Sequence, residues 1–377
     1  MPVGVNYLCL LGLLLAIAFE GSWRERWQRL SEKKTALALG LFMGWTALVL
    51  IFQGTWYDRT PSNLWHGFRI CLTLGLAASL TLPEATRALL GFILSTVCAL
   101  ALAFAARTGV IEVHPFWEHL TVVGTNKTIG ASILLAVAFV VVFARATYSQ
   151  GKDRWVLLLA TVPIVWAVYD IMSKRTAILS ILMAALLVLM HVSKKQKKTW
   201  IISAAFLASV CYLVWIASPA LQAQFAQGIH EMLEGIRGQV KVESWNVRVQ
   251  MIKHTIEMIS DHPWLGWGIG AWNYQWAIRA PMEIASFNMP HNDLLWMSAQ
   301  GGVIAGLLWL FLMTSELGNL WKASSWNGAA ASATVLVCTF SSLVNNGTRD
   351  ATIGLPMLWI MGVLISLTPK GQRVQQK

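Results

Sequence analysis

Charged residues are scarce in this sequence. Asp, Glu, Lys and Arg make up 12% of its 377 residues, whereas an ordinary soluble domain has about 25%. Hydrophobic residues reach 56%, and apolar runs of roughly 15 to 20 residues recur along the whole chain. This composition excludes an ordinary soluble domain. Because a backbone in lipid must satisfy its own hydrogen bonds, the runs are predicted to be transmembrane helices.

The sequence also lacks the patterns of a metal or disulfide site. All five cysteines fall in predicted spans and form no CxxC pair; they are Cys9, Cys71, Cys98, Cys211 and Cys338. We interpret them as small apolar residues. No histidine pair has the spacing of metal ligands, so a metal-dependent mechanism is disfavoured and no cofactor is expected.

The charge that is present is mostly positive, with a formal net charge of +11. The basic clusters at 24–34 and 194–198 are typical of cytoplasmic loops, which favours a positive-inside bias as the cause. For basic residues on the opposite face, attraction of anionic substrates is the alternative explanation of the charge. No basic run is interleaved with aromatic residues on a soluble face, so nucleic acid is not an expected partner.

Apolar runs and basic loops together predict eleven spans with an outer N-terminus, or twelve with one re-entrant helix. The predicted spans are 5–19, 35–52, 64–82, 88–106, 128–144, 155–172, 176–190, 199–217, 294–313, 328–344 and 352–367. The expected fold class is therefore an all-α polytopic membrane protein with one large outer loop. Membrane helices 1–8 occupy 1–217, the loop with amphipathic helices 218–290, and helices 9–11 with a cytoplasmic tail 291–377.

This topology places five basic or imidazole side chains near the outer face. They are Arg69, Lys127, Arg175, Arg248 and His291. Ionisable groups near lipid are costly unless they snorkel, pair or act on a substrate. For Arg175, at the start of the seventh span, the alternatives are a snorkelling anchor, a partner for Asp170, or a clamp that offers a fork of donors to phosphate oxygens.

Arg248 lies on a predicted amphipathic helix of the outer loop. Ser244 is the expected N-cap and Pro263 the expected end. The helix carries an apolar stripe of Trp245, Val249, Ile252, Ile256 and Ile259. We expect this stripe to dock on lipid or on the bundle and to hold Arg248 at the interface, although a plain surface arginine is an equal alternative.

His291 follows Pro290 at the start of the ninth span, where a proline suits the first helical turn. A histidine near a helix N-terminus tends to stay neutral, and a neutral imidazole can accept a proton from a hydroxyl. The alternative is an interfacial histidine bonded to backbone or water. Asn292 and Asp293 are expected to orient it or to cap the helix.

The glycines of 266–270 resemble a phosphate-binding loop only superficially. Neither a preceding strand nor a following Lys-Ser/Thr pair accompanies Gly266, Gly268 and Gly270. We interpret the segment as a tight turn.

Taken together, four motifs resemble those of the O-antigen ligase family over roughly 124–306. They are Ser173-Lys174-Arg175-Thr176-Ala177, Asn246-Val247-Arg248, the segment 261–270, and Pro290-His291-Asn292-Asp293. Their order, and a large loop between two late spans, match that family. The earlier spans match only as hydrophobic helices.

The resemblance implies a GT-C-like glycosyltransferase of the bacterial inner membrane, with its site facing the periplasm. Such enzymes transfer a glycan from undecaprenyl diphosphate to an acceptor hydroxyl, which in the ligases belongs to lipid A–core, without metal or cofactor. Arg175, Arg248 and His291 correspond to the family's catalytic residues. By position alone, Asn292, Lys127 and Arg69 are added as candidate substrate-binding residues. Membrane lipid is the remaining expected partner.

Other functions stay open at this stage. An O-antigen polymerase or a protein O-oligosaccharyltransferase uses the same chemistry. A transporter or flippase is the alternative from another class, although no internal repeat is present and the notable charges lie at one face.

Overall fold

The computed structural model describes residues 3–114, 126–172, 175–194 and 219–368, with isolated positions between 201 and 216. Every regular element in these ranges is a helix, which confirms the all-α fold class. The helices before residue 200 are α1 (Val3–Glu20), α2 (Trp23–Ser31), α3 (Lys34–Phe52), α4 (Thr60–Ala78), α5 (Leu82–Arg107), α6 (Asn126–Tyr148), α7 (Gly151–Trp166) and α8 (Arg175–Val192). A π-helical segment, Ala167–Met172, continues α7.

The rest of the described chain contains the outer loop and the last membrane helices. Its helices are α9 (Pro219–Ile236), α10 (Ser244–Asp261), α11 (Ala271–Arg279), α12 (Asp293–Thr314), α13 (Leu317–Lys322), α14 (Trp326–Asn345) and α15 (Ala351–Ser366). A short 3₁₀ turn, Met282–Ile284, follows α11. The predicted outer loop is thus largely helical, with α9 packed against α10 and α10 packed against α12.

Several helices of the described residues are long and apolar enough to cross a membrane. There are five by length and composition, or six if the bent pair formed by α1 and α2 is one span. Ten of the predicted spans coincide with described helices to within a few residues, while the eighth, 199–217, lies largely outside the described residues. The polytopic class is confirmed, and the number of 11 to 12 spans stays a prediction.

The predicted inner loops meet at one end of the helices. Arg26 forms an ion pair with Glu84, and Lys33 Nζ donates a hydrogen bond to Ser366 Oγ at 3.1 Å. Thr35 N donates to Glu316 Oε1 at 3.2 Å. These residues come from four different loops. The segment that follows α1 therefore holds the other predicted inner loops together.

The predicted outer segments meet at the opposite ends of the same helices. Thr60 Oγ1 at the start of α4 donates to the carbonyl of Ile269 in the outer loop, at 2.6 Å. Asn345 Nδ2 at the end of α14 donates to Thr176 Oγ1 at the start of α8, at 3.1 Å. The predicted inner loops thus contact one another at one end of the helices, and the predicted outer segments contact one another at the other end, in agreement with the predicted topology.

The α12 helix is broken in its first half at Gly301 and Gly302. Gly302 has φ 74° and ψ 175°, which is far from helical geometry. The outer-loop segment 263–268 fills the break: Trp267 N donates to Ala299 O (3.0 Å), Gly268 N to Gln300 O (2.9 Å), and Val303 N to Pro263 O (2.8 Å). Backbone groups released by the break thus find partners, as an apolar surrounding requires.

Close backbone approach explains the glycines at this junction. A Cβ on Gly302 would overlap the carbonyl oxygen of Trp264, and one on Gly266 would meet the backbone of Gln300. Gly266 (φ 68°), Gly268 (φ 99°) and Gly270 (φ 91°) all have left-handed backbone conformations, as expected for a tight turn.

Replacing Gly302 by alanine should therefore destabilise the protein strongly. A left-handed conformation costs an alanine roughly 1–2 kcal/mol, and the overlap with Trp264 adds overpacking of similar size. We expect a loss of at least about 2 kcal/mol, measured as a lower unfolding temperature in detergent.

The matched control is Gly40→Ala in α3, where a Cβ meets nothing within 4 Å. That exchange should be neutral or stabilise by roughly 0.5–1 kcal/mol. Equal unfolding temperatures for the two variants would show that the loop does not pack into the break.

Candidate active site

The first turn of α10 is fixed by buried polar side chains. Asn246 is fully buried; its Nδ2 donates to Gln239 O (3.0 Å) and its Oδ1 accepts from Lys241 N (3.0 Å). Glu231 on α9 accepts a hydrogen bond from Trp245 N at 3.0 Å. Ser244 is consequently the first helical residue and not the N-cap that the sequence predicted, since Glu231 supplies the acceptor from outside the helix.

The fully buried apolar residues of α10 lie outside the predicted apolar stripe. Val247, Met251 and Met258 are buried, whereas Ile252 and Ile256 of the predicted stripe are exposed. The hydrogen bonds of Asn246 to the α9–α10 connection turn this side of the helix inward. Ile252 and Ile256 therefore face away from the bundle and remain available for contact with lipid, whereas Ile259 packs against the core.

Arg248 reaches from α10 to the end of α14. Its Nη2 donates to Asn345 Oδ1 at 3.1 Å, and its guanidinium carbon lies 5.3 Å from the ring centroid of Trp245. Asn345 uses its other amide atom on Thr176, one residue after Arg175. A single asparagine thus connects Arg248 to the start of the helix that Arg175 opens.

His291 lies just before α12 and not inside it. The helix begins at Asp293, and Asn292 Oδ1 caps it by accepting a hydrogen bond from Leu295 N at 3.0 Å. Pro290 is therefore outside the first turn, contrary to the prediction. The capping role of Asn292 agrees with one of its two expected roles.

His291 has a strained backbone. Among the described residues, the two non-glycine residues with positive φ are His291 (φ 52°) and Asn346 (φ 50°). Such conformations are uncommon for histidine and tend to cluster at functional sites, where the surrounding structure holds them.

A cavity of about 350 Å³ lies at the predicted outer end of the bundle; Arg248 is not part of its lining but bonds Asn345, which is. Both strained residues line it, together with Asn345. Its lining also includes Tyr7, His66, Arg69, Ile129, Met289, Arg349, Asp350, Ala351 and Ile353. The cavity thus joins α1, α4, α6, the α12 approach and the α14–α15 turn.

The α14–α15 turn is held against the start of α12 by a buried carboxylate. Asp293 is fully buried, and its Oδ2 accepts hydrogen bonds from Thr348 N (2.9 Å) and Thr348 Oγ1 (2.6 Å). These bonds fix the turn relative to His291, two residues from Asp293.

The imidazole of His291 is kept neutral by its surroundings. Burial, followed by the positive charges of Arg248 and Arg349, lowers its pKa from 6.5 to about 4. The neutrality agrees with the sequence expectation, but burial and two cations produce it, with no need for the helix dipole.

Arg69 lines the cavity but is engaged in holding the protein together. It is 1% exposed, its Nη1 donates to the Tyr7 hydroxyl at 2.6 Å, and its Nη2 donates to the carbonyl of Arg349. A structural role therefore accounts for Arg69 without a substrate.

Two predicted residues are placed by backbone alone. Arg175 begins α8 and Lys127 lies in the first turn of α6, and the side chains of both lie outside the described residues. Thr176, next to Arg175, accepts a hydrogen bond from Asn345. Ile129, two residues after Lys127, lines the cavity.

Sequence reasoning missed Arg349, His66 and Asn345. Arg349 donates from Nη1 to Asn288 O at 3.2 Å, and its guanidinium carbon lies 4.9 Å from the centroid of the Trp296 ring. A charged residue in the predicted outer turn between the last two spans was a signal for Arg349. Nothing in the sequence marks Asn345 as a bridge, because its partners are 97 and 169 residues away.

In the part of the chain that the structure describes, no group of three or more His, Cys, Asp or Glu residues could hold a metal ion.

Comparison with known families adds to this geometry. Residues 171–310 match the sequence model of a family described as O-antigen ligase. The match covers less than half of the chain and supports an O-antigen ligase assignment for that region. The matched region contains Arg175, Arg248 and His291 and ends before the α14–α15 turn. No curated protein sequence matches the chain.

This similarity supports a glycosyltransferase-like enzyme of the O-antigen ligase and polymerase superfamily. It implies substrates that are glycan-lipids in general, and it fits the multi-pass membrane fold.

The low pKa of His291 predicts a pH dependence of stability. In the unfolded chain the imidazole titrates near 6.5, whereas in the folded protein it titrates near 4. Between these values the unfolded state binds more protons, so stability falls as pH drops from 6.5 towards 4. The loss from this group is on the order of 3 kcal/mol.

The measurement is the unfolding temperature of detergent-solubilised protein at several pH values, for the wild type and for His291→Gln. Because glutamine does not titrate, the gap between the two proteins should change over this range. Parallel curves would mean that His291 is not held neutral by the fold.

Proposed function

We propose that this protein transfers an O-antigen glycan from undecaprenyl diphosphate to a hydroxyl of lipid A–core, at the periplasmic face of the bacterial inner membrane. The proposal needs no metal or cofactor. Arg175 and Arg248 stabilise the leaving diphosphate, and His291 is the general base. The observation that supports it is that Asn345, which lines one cavity with His291, bonds both Arg248 and Thr176 at the start of α8.

The chemistry of transfer explains why these residue types are needed. The acceptor oxygen forms a bond to the anomeric carbon, and the bond from that carbon to the phosphate oxygen breaks. Its electron pair stays on the diphosphate, where negative charge builds up. Guanidinium groups in a cavity stabilise that charge more than water does, because they are already oriented.

His291 receives the proton that the acceptor hydroxyl loses. Its neutral imidazole is free to accept it, and general base catalysis typically contributes 10²–10⁴-fold. An anionic diphosphate beside Arg248 and Arg349 offsets the two charges that lower the pKa of His291. Donor binding therefore makes the imidazole a stronger base when it is needed. Direct displacement of an α-linked diphosphate inverts the anomeric centre.

The apolar stripe of α10 supports a lipid-borne donor. Ile252 and Ile256 are exposed on the helix that carries Arg248. This surface suits contact with the leaflet, so that the prenyl chain can lie between membrane helices while α10 covers the sugar diphosphate.

The base role is tested by His291→Ala in purified protein supplied with lipid-linked glycan and rough lipopolysaccharide. We expect ligation to fall by at least about 100-fold because the hydroxyl loses its proton acceptor. His230→Ala is the matched control, since His230 lies on α9 with a side chain that is 71% exposed, and it should retain wild-type activity. Undiminished ligation by a folded His291→Ala protein would reject the base role.

The clamp role is tested by Arg248→Lys in the same assay. Lysine keeps the charge but loses the planar fork, so we expect transfer to fall about 10-fold or more. Arg237→Lys, at an exposed position after α9, should have no effect. Full activity of Arg248→Lys would show that a point charge at this position is sufficient for transfer, and it would contradict a forked contact with the diphosphate.

The product of the assay separates this proposal from its relatives. Capped lipid A–core supports ligation, whereas a longer lipid-linked polymer or a glycosylated protein supports the other two activities of the superfamily. Turnover in detergent, where no membrane gradient exists, excludes a transporter.

A further inference from the structure

Arg349 is a half-buried cation that forms no ion pair with a carboxylate among the described residues. Asp293 and Asp350 act on it electrostatically, yet neither forms an ion pair with it among the described residues. Its bond to Asn288 O uses one of the five N–H groups of a guanidinium. The ring of Trp296 orients the group but supplies no anion.

The turn that carries Arg349 is built to hold it in place. Thr348 is bonded twice to buried Asp293, and the carbonyl of Arg349 itself accepts from Arg69. Asn346 is held in the left-handed conformation at the start of the turn. Such support from neighbouring side chains is typical of a preorganised binding residue.

Polar atoms next to Arg349 lack partners. Both amide atoms of Asn346 and Nδ1 of His66 are buried without a hydrogen bond among the described residues, and both residues line the cavity. Buried polar groups are nearly always bonded, so exceptions at a cavity call for a ligand or another explanation.

We propose that Arg349, with Asn346 beside it, binds a phosphate group of a substrate in the cavity next to His291. The site is additional to the predicted clamp of Arg175 and Arg248 and lies outside the region matched to the family. A phosphate supplies the direct ion-pair partner that Arg349 lacks among the described residues, and it can accept from a guanidinium fork and an amide together. A neutral sugar would supply no such ion pair.

The phosphate can belong to the lipid diphosphate donor or to a phosphorylated acceptor glycolipid. This choice of substrates rests on the proposed function, whereas the phosphate site itself rests on the cavity. The experiment therefore has one arm for each source.

The donor arm measures binding of a short isoprenyl diphosphate to purified protein by tryptophan fluorescence, without acceptor. Arg349→Gln should weaken binding about 10-fold or more, as expected for loss of a charged hydrogen bond. Arg279→Gln is the matched control: Arg279 also lies against a tryptophan and is bonded to the outer loop, yet it does not line the cavity. It should bind like the wild type.

The acceptor arm measures KM for an acceptor glycolipid with and without its phosphate, at saturating donor. If Arg349 holds the acceptor, Arg349→Gln raises KM for the phosphorylated form alone and leaves diphosphate binding unchanged. Arg349→Lys, which keeps the charge, should show a smaller loss in whichever arm responds, and it replaces Arg349→Gln if that variant unfolds.

Wild-type behaviour of the Arg349 variants in both arms would overturn the inference. A wild-type protein that binds diphosphate through Arg349 but transfers no glycan would instead overturn the proposed function and leave the phosphate site standing.

Discussion

Backbone hydrogen bonding across the break in α12 is the constraint on which the site depends. A helix interrupted within a membrane must find partners for its released N–H and C=O groups. Segment 263–268 of the outer loop supplies them at Ala299, Gln300 and Val303. The loop thereby becomes part of the bundle, and the end of α10 is fixed relative to the start of α12.

This junction is reinforced from the other side. Trp45 Nε1 donates to Gly301 O at 2.8 Å, and Gln300 Oε1 accepts from both Gly270 N (2.6 Å) and Asn63 Nδ2 (3.0 Å). Helices α3 and α4 therefore hold the same backbone that the outer loop holds. The break needs glycine because no other residue tolerates both the conformation and the approach of Trp264.

Cations at the two ends of the bundle have different surroundings. At the inner end Arg26 is paired with Glu84, and Lys33 and Lys194 donate to carbonyls at helix ends. At the outer end Arg248 is bonded to a neutral amide and Arg349 to a carbonyl. Among the described residues, Arg349 lines the cavity without forming an ion pair, so its charge can act on an anion bound there.

The sequence predicted the helices because long apolar runs and basic loops constrain a membrane chain tightly. It predicted Arg248 and His291 at one face for the same reason. The sequence left open whether the stripe of α10 docks on lipid or on the bundle, because the hydrogen bonds that turn the other face inward are made by Asn246 and Gln250 to the α9–α10 connection. Arg349 and Asn345 were missed because their partners are tertiary, and hydropathy contains no information on which loops meet.

The site joins two parts of the protein that are held by different means. His291 and the turn at Arg349 are one unit, since Asp293 bonds Thr348 and Asn292 caps α12. Arg248 belongs to α10, and its contact with Asn345 connects it to α14 and α8. Because Arg248 from one part and Arg349 from the other both lower the pKa of His291, the basicity of that imidazole depends on how closely the two parts approach. An anion bound between them would act on the same balance, so in the proposed function donor binding and activation of the base are one electrostatic event.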